Sequence, residues 1–195
     1  TSSAMYKAPI PLSEDAVVYA AVYRGGKPLG KVTHKGFAVN KATGCDYKCN
    51  PEAGWEHLNK GFGLTDGRRG YARDMRRWIS FYQDSVQIVV NLKKPQRVKE
   101  VAFSSLWRPW NTIWPARAIS VSVSMDGKTF VPVGNKELTY DFTLTEGTRF
   151  PASLSFPETE AVFVRLDLLS GGLCPKGYYH EGQQSELAID EVEIY

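Results

Sequence analysis

Three tryptophans, one arginine and one asparagine fall within residues 106–115. They are Trp107, Arg108, Trp110, Asn111 and Trp114. A flat aromatic ring can cover the apolar C–H face of a sugar ring, while arginine and asparagine hydrogen-bond to neighbouring hydroxyl groups. The mixture therefore predicts a carbohydrate-binding loop. We expect Trp110 to be the stacking ring, because Pro109 restricts the backbone before it and holds it outward.

A second loop, residues 173–184, carries paired tyrosines and a histidine. We expect Tyr178, Tyr179 and His180 to meet the tryptophan loop at one end of the fold, because the loops of a β-sandwich cluster at its two ends. The tripeptide Trp55-Glu56-His57 is a third candidate. In the alternative interpretation the tryptophan rings plug the end of the core, since tryptophan is usually mostly buried.

Catalytic signals are weak in this sequence. None of the three histidines lies in a recognised motif, and nucleophile-elbow, zinc-protease and phosphate-loop patterns are absent. Asp190 and Glu191 are adjacent, so in a strand their side chains point to opposite faces and cannot flank one glycosidic bond. We therefore expect no catalytic activity from this chain.

The charge balance argues against two classes of partner. With 24 Lys and Arg against 21 Asp and Glu, the net charge is +3, too small to predict binding to nucleic acid or insertion into a membrane surface. The arginines of residues 68–77 lie beside Asp66 and Asp74, which favours a salt-bridged surface loop. The first residues lack the features of a signal peptide, so we expect a piece of a longer protein.

Apolar and polar residues alternate in several short runs, which is the pattern of half-buried strands. The runs are residues 86–92, 98–106, 119–125, 128–133, 162–168 and 187–194. The dipeptide Asp126-Gly127 between two of them is a strong hairpin signal. A phase slip in the last run predicts a β-bulge near Asp190 and Glu191. Short strands separated by Gly and Pro turns favour an all-β sandwich.

The first part of the chain carries its own strand-like runs. They are residues 6–12, 16–23 and 37–39. A turn at residues 24–27 follows the second run, and three strands without a partner sheet bury little apolar surface. We interpret them as the remnant of a preceding small β domain, which predicts one domain at residues 1–42 and a second at residues 43–195.

Several motifs of the second domain follow a familiar order. They are Ala42-Thr-Gly44, Gly63-Leu-Thr-Asp66-Gly67-Arg68, Arg77-Trp78-Ile-Ser-Phe81, residues 119–130 and Leu187-Ala-Ile-Asp-Glu191-Val-Glu-Ile-Tyr195. This order resembles a discoidin-like domain, also called the factor 5/8 type C domain or carbohydrate-binding module family 32. The resemblance implies a galactose-binding-like jelly-roll β-sandwich and a glycan of galactose or N-acetylhexosamine type as its partner.

Residues 1–42 resemble the small β domain that follows the catalytic barrel in chitobiases and β-hexosaminidases of glycoside hydrolase family 20. The resemblance implies a truncated small β domain joined to a carbohydrate-binding module, cut from a bacterial enzyme of this type. Its catalytic barrel would be a second partner. The same resemblance implies a secreted, periplasmic or cell-surface location.

Discoidin-like domains often hold a structural calcium ion. The resemblance assigns its carboxylate ligands to Asp66 and Glu191, while the family's hydroxyl ligand position falls at Tyr71. Calcium is therefore an expected cofactor that would tie the start of the sandwich to its last strand.

Three functions stay open from the sequence. The first is a non-catalytic module that targets its parent enzyme to glycans. The second is a structural accessory domain that packs on the barrel and binds no sugar, and the third is an adhesion or protein-binding domain. Exposure of Trp107, Trp110 and Trp114 separates the first from the second, because only an exposed ring can stack on a sugar.

Overall fold

Antiparallel strands make up most of the chain. The computed structural model describes residues 4–53, 55–56, 63–144 and 147–195. The chain divides into two units, of which the first ends at Val39 and the second is Asn40–Tyr195. The division lies three residues before the predicted boundary, because Lys41 donates its backbone N–H to the carbonyl of Ile194 (2.9 Å). None of the described helices is long and apolar enough to cross a membrane.

The first unit is a two-stranded hairpin of β1 (Ala16–Arg24) and β2 (Lys27–Phe37). Gly25 and Gly26 form its turn with φ of 56° and 75°, which only glycine adopts without strain and which suits the twist of the hairpin. The predicted turn is confirmed. The predicted strand at residues 6–12 is wrong, because two prolines there lack the N–H that a ladder needs. Of the predicted third run, residues 37–39, only Phe37 is in a strand, as the last residue of β2.

The second unit contains nine strands and two short 3₁₀ helices among its described residues. The strands are β3 (Asp46–Asn50), β4 (Trp55–Glu56), β5 (Ile79–Phe81), β6 (Ser85–Trp107), β7 (Ala118–Ser124), β8 (Val131–Glu137), β9 (Thr148–Leu169), β10 (Leu187–Ile189) and β11 (Glu193–Ile194). The helices are Met75–Arg77 and Pro109–Asn111. All strand pairs are antiparallel, and the fold is an all-β sandwich of the galactose-binding-like jelly-roll type.

The long strands β6 and β9 form the central strand pair of this unit. They pair along almost their whole length, with register shifts between Asn91 and Gln96 and between Val98 and Glu100. The two runs predicted at residues 86–92 and 98–106 therefore belong to one strand. The first half of β6 pairs with β3, and its second half pairs with β10 and β11.

The predicted hairpin at Asp126-Gly127 is confirmed between β7 and β8. Gly127 has a φ of 70°. The Asp126 carboxylate accepts backbone N–H groups from Lys128 (2.8 Å) and Thr129 (2.9 Å), which fixes the turn.

The last run contains a break instead of the predicted bulge. β10 ends at Ile189 and β11 begins at Glu193, so three residues of non-strand backbone absorb the phase slip. The side chains of Asp190 and Glu191 are buried there and accept backbone N–H groups from the segment of residues 67–70. The backbone N–H groups of Asp190 and Val192 donate to the carbonyls of Ser104 (3.3 Å) and Leu64 (2.7 Å), so these donors stay paired where the strand is interrupted.

Candidate functional site

The tryptophan loop is a short excursion between β6 and β7. β6 ends at Trp107, and Pro109–Asn111 forms one 3₁₀ turn. Arg108 closes the excursion, because its backbone N–H donates to the Ile113 carbonyl (2.9 Å) and its own carbonyl accepts the Ile113 N–H (3.2 Å). The loop is therefore a fixed platform.

Trp110 lies at the surface of this platform, with 42% of the residue exposed. The guanidinium carbon of Arg108 lies 5.3 Å from the centroid of the Trp110 ring, within range of a cation–π contact. Asn111 beside it is exposed. An aromatic ring thus stands next to hydrogen-bonding side chains at the surface, as predicted for these three residues.

Trp107 and Trp114 do not share this position, and the expectation that they stack on a sugar is corrected. Their exposed fractions are 2% and 5%, and they form an aromatic cluster with Phe150 and the half-buried Tyr140. Phe142 also contacts both indole rings, with centroids 5.2 and 5.5 Å away. In this conformation neither indole presents a face to a ligand, because their faces are taken up by neighbouring rings.

The second loop meets the first, which confirms the predicted juxtaposition. The Trp114 backbone N–H donates to the Glu186 carbonyl (3.0 Å), and the Tyr178 ring packs edge-on against Trp114 at 5.0 Å. Tyr179 is 66% exposed and its ring contacts that of His180 at 4.1 Å. The second loop therefore packs on the buried Trp114 ring through Tyr178, whose side chain reaches from the core to the surface.

Six members of the predicted set define the loop-end surface. It consists of the half-buried Arg108 and the exposed residues Trp110, Asn111, Tyr178, Tyr179 and His180. It offers aromatic rings together with donors and acceptors, which is what recognition of sugar hydroxyl groups requires. Their role in binding stays a prediction. The third sequence candidate ends at His57, which lies outside the described residues.

Two carboxylates meet at the predicted calcium position. Glu191 is fully buried, and its oxygens accept the backbone N–H groups of Gly67 (2.8 Å) and Arg68 (3.4 Å). Burial is the main reason that the pKa of Glu191 lies far above its ordinary value. The neighbouring Asp66 carboxylate raises the pKa further, because it also disfavours the charged form of Glu191. The two side chains thus join the Asp66 turn to the segment before β11.

Calcium at Asp66 and Glu191 stays a prediction. The ion takes about six to eight oxygen ligands, backbone carbonyls among them, and no group of three His, Cys, Asp or Glu side chains occurs in the described part of the chain. Tyr71 is 69% exposed, and Nε of Arg68 lies 3.9 Å from Oδ2 of Asp66. A guanidinium therefore already supplies positive charge beside this pair.

Two more arginines hold the same region. Arg69 donates from Nε and Nη2 to the Glu193 carboxylate, with Nη2 at 2.8 Å from Oε2. Arg149 donates from Nε to Oδ2 of the buried Asp190 at 2.8 Å. The predicted salt-bridged character of residues 68–77 is confirmed. A further salt bridge joins Nε of Arg76 to Oδ1 of Asp74 at 2.8 Å.

The sequence argument missed the support under the loops. Tyr140, Phe142 and Phe150 contact one another and the buried indoles. Their only sequence signal is a spacing of aromatic residues in a stretch without clear alternation, so their partners could be found only from the fold.

Solved structures provide the comparison for this fold. A Ruminococcus gnavus GH29 fucosidase in complex with fucose matches with a TM-score of 0.53 and 14% identity, over 80% of this chain and 26% of that chain. Chitosan-binding module 1 from a Paenibacillus sp. IK-5 chitosanase/glucanase matches with a TM-score of 0.48 and 18% identity, over 80% and 98%.

A third match is CpGH89CBM32-5 from Clostridium perfringens, in complex with GalNAc-β-1,3-galactose. Its TM-score is 0.47 and its identity 15%, over 77% of this chain and 94% of that chain. No family model and no curated protein sequence matches the chain. The likeness to the fucosidase shows a shared fold, and the chain spans about a quarter of the length of that protein.

Proposed function

We propose that residues 40–195 form a non-catalytic carbohydrate-binding module whose loop-end surface binds a glycan of galactose or N-acetylhexosamine type. The observation that carries the proposal is Trp110, an exposed ring on a fixed turn with the Arg108 guanidinium against it. An indole held in place stacks on a sugar at little cost in conformational entropy. Arg108, Asn111 and His180 then give direction through hydrogen bonds.

The module would serve a larger enzyme. The sequence resemblance supports a parent of the chitobiase or β-hexosaminidase type, secreted, periplasmic or on the cell surface, with its catalytic barrel as protein partner. In that arrangement the fragment hydrolyses nothing and keeps the enzyme near its substrate. Turnover of an aryl N-acetylglucosaminide by the pure chain would contradict the non-catalytic part.

A structural accessory role is the second candidate, and one observation favours it. Trp107 and Trp114 are buried among other aromatic rings, so two of the three tryptophans serve the core. If Trp110 bound nothing, the same loop would simply close the end of the sandwich.

A glycan array probed with the full chain tests the proposal, followed by titration of each positive glycan. We expect binding to terminal galactose or N-acetylhexosamine in the range of about 0.1–1 mM, because one sugar on an open surface buries little area. If the chain binds no glycan at millimolar concentration, the carbohydrate-binding proposal fails and the structural accessory role remains. Binding that persists in Trp110→Ala would move the site away from the loop end.

A further inference from the structure

A cavity of about 610 Å³ opens beside the second half of β6, and none of its lining residues belongs to the loop-end surface. Its size falls within the range of about 300–1,000 Å³ that small-molecule sites occupy. It is bordered by β6, the start of β9, the segment after β8, the last residues of the chain and Arg69.

Small side chains make the floor of this cavity. Ala102 pairs with Ser153 on β9 and with Glu193 on β11, and residues directly opposite in antiparallel strands share one face. The alternate residues Val101 and Ile194 are buried in the core on the other face. Where long side chains would cover a sheet, alanine and serine therefore leave a depression.

The floor also contains a polar group whose hydrogen-bonding capacity is unused. Ser104 is fully buried, and its Oγ has no hydrogen-bond partner within the described ranges. Because Ser104 has no accessible surface, its hydroxyl is covered by neighbouring residues, and the groups that can reach a ligand are those of the cavity walls.

The walls of the cavity hold hydrogen-bonding groups in fixed positions. Glu193 is 5% exposed and is held by the Arg69 guanidinium and by the Tyr195 hydroxyl, which donates to its Oε2 at 2.7 Å. Arg149 is anchored through Nε to Asp190. Each guanidinium carries five N–H donors, more than these bonds use. The two arginines can therefore donate to a ligand without first giving up their internal partners.

The charges of the lining indicate what kind of ligand fits. Three basic side chains balance three acidic ones. They are Arg69, Lys136 and Arg149 against Glu100, Glu137 and Glu193. A net charge of zero does not favour an anion or a cation, whereas donors and acceptors close together suit a neutral molecule rich in hydroxyl groups. Such a ligand is a neutral saccharide.

We propose that this cavity is a second saccharide site, separate from the loop-end surface, in which the Arg69–Glu193 pair and Arg149 bind the hydroxyl groups of a neutral glycan. Its ligand class rests on the proposed carbohydrate-binding function, although its residues do not. Two sites on one module would let a branched or long glycan be held at two points, which strengthens binding beyond either site alone.

The test is an NMR titration of the ¹⁵N-labelled full chain with lactose and with N,N′,N″-triacetylchitotriose, up to roughly 10 mM. We expect at least one of them to shift the backbone amides of Ala102, Ser104 and Ser153. Ser153→Leu fills the cavity, so the apparent affinity obtained from these shifts falls at least about tenfold. Ser155→Leu is the matched control, because Ser155 lies two residues further on the same strand and outside the lining, and it leaves the shifts intact.

The loop-end variant separates the two proposals. In Trp110→Ala the cavity shifts persist if the cavity is a site of its own, even where the loop-end site is lost. Loss of all shifts in Trp110→Ala, or equal behaviour of Ser153→Leu and Ser155→Leu, overturns the second site and leaves the loop-end function standing. Shifts at the cavity with sialyllactose but with neither neutral sugar overturn the assigned ligand class.

Discussion

Among the three tryptophans, position along the chain decides which ring is exposed. Trp107 is the last residue of β6 and faces Phe142 and Phe150, whereas Trp110 lies on the following 3₁₀ turn and reaches solvent. The same residue type therefore has a packing role at one position and is free for recognition three residues later.

Trp110→Ala is expected to abolish glycan binding with little loss of stability. The exposed ring gives up a cation–π contact worth about 0.5–1 kcal/mol, or roughly 1–4 °C in Tm for a chain of this size. Trp107→Ala is the control and removes a buried ring at about 3–5 kcal/mol, roughly 6–20 °C. Calorimetric titration and thermal melts measure both. Equal losses of Tm in the two variants would place Trp110 in the core and favour the structural role.

Tyr140 makes the stability of the chain depend on alkaline pH. Burial raises its pKa to about 12, above the value of about 10 in the unfolded chain. A raised folded-state pKa means that its contribution is complete below pH 10 and is lost as the pH rises through 12. In Tyr140→Phe we expect a shallower fall of Tm between pH 10 and pH 12, at a cost near neutrality of about 0.5–1.5 kcal/mol for the lost bond to the Ala116 carbonyl.

Tyr179→Phe provides the comparison for that pH series, because Tyr179 is 66% exposed and makes no described bond through its hydroxyl group. It leaves the alkaline fall of Tm as in the parent chain. Part of the fall persists in Tyr140→Phe, since burial also raises the pKa of Tyr195 to about 12. Identical slopes in Tyr140→Phe and the parent chain would contradict the assignment.

At the scale of elements, buried carboxylates join the Asp66 turn to the last strands. Asp190 accepts backbone N–H groups from Gly70 (2.9 Å) and Ser104 (3.1 Å) as well as the Arg149 side chain. Glu191 accepts from the same turn. Hydrogen bonds and guanidinium groups already connect these segments at the position where the family resemblance places a cation.

We therefore expect the chain to be stable without calcium. Any ion that binds only the folded state raises Tm, so Tm stays unchanged on adding EDTA and then on adding excess calcium. Magnesium at the same concentration is the control for ionic strength. A rise in Tm with calcium alone, lost in Asp66→Asn, would restore the calcium site at Asp66 and Glu191.

For the whole molecule, the second unit has its own core. The side chains of its three buried clusters all lie between Ala42 and Ile194, while most residues of β1 and β2 are exposed. An isolated two-stranded hairpin is marginally stable at best. Stability therefore resides in the sandwich.

Residues 40–195 are accordingly expected to fold without the first unit. Scanning calorimetry of that fragment and of the full chain then gives main transitions within a few degrees of each other, and glycan binding is unchanged. A fragment that begins at residue 43 is the informative comparison, because it lacks Asn40, whose Oδ1 accepts the Ile194 N–H (3.1 Å), and Lys41. Loss of cooperative unfolding in residues 40–195 would show that the hairpin is required.

Local pattern was enough to predict the all-β class, the hairpins at Gly25-Gly26 and Asp126-Gly127, and the two loops that meet. The class and the hairpins depend on residues close together in the chain, either alternation within one strand or a backbone conformation that glycine favours. The meeting of the loops was expected from the sandwich class, whose loops cluster at two ends. The burial of Trp107 and Trp114 and the cavity beside β6 could not be predicted in this way. They depend on rings such as Phe150 and on pairings such as Ala102 with Ser153 and Glu193, which meet only when β6, β9 and β11 come together.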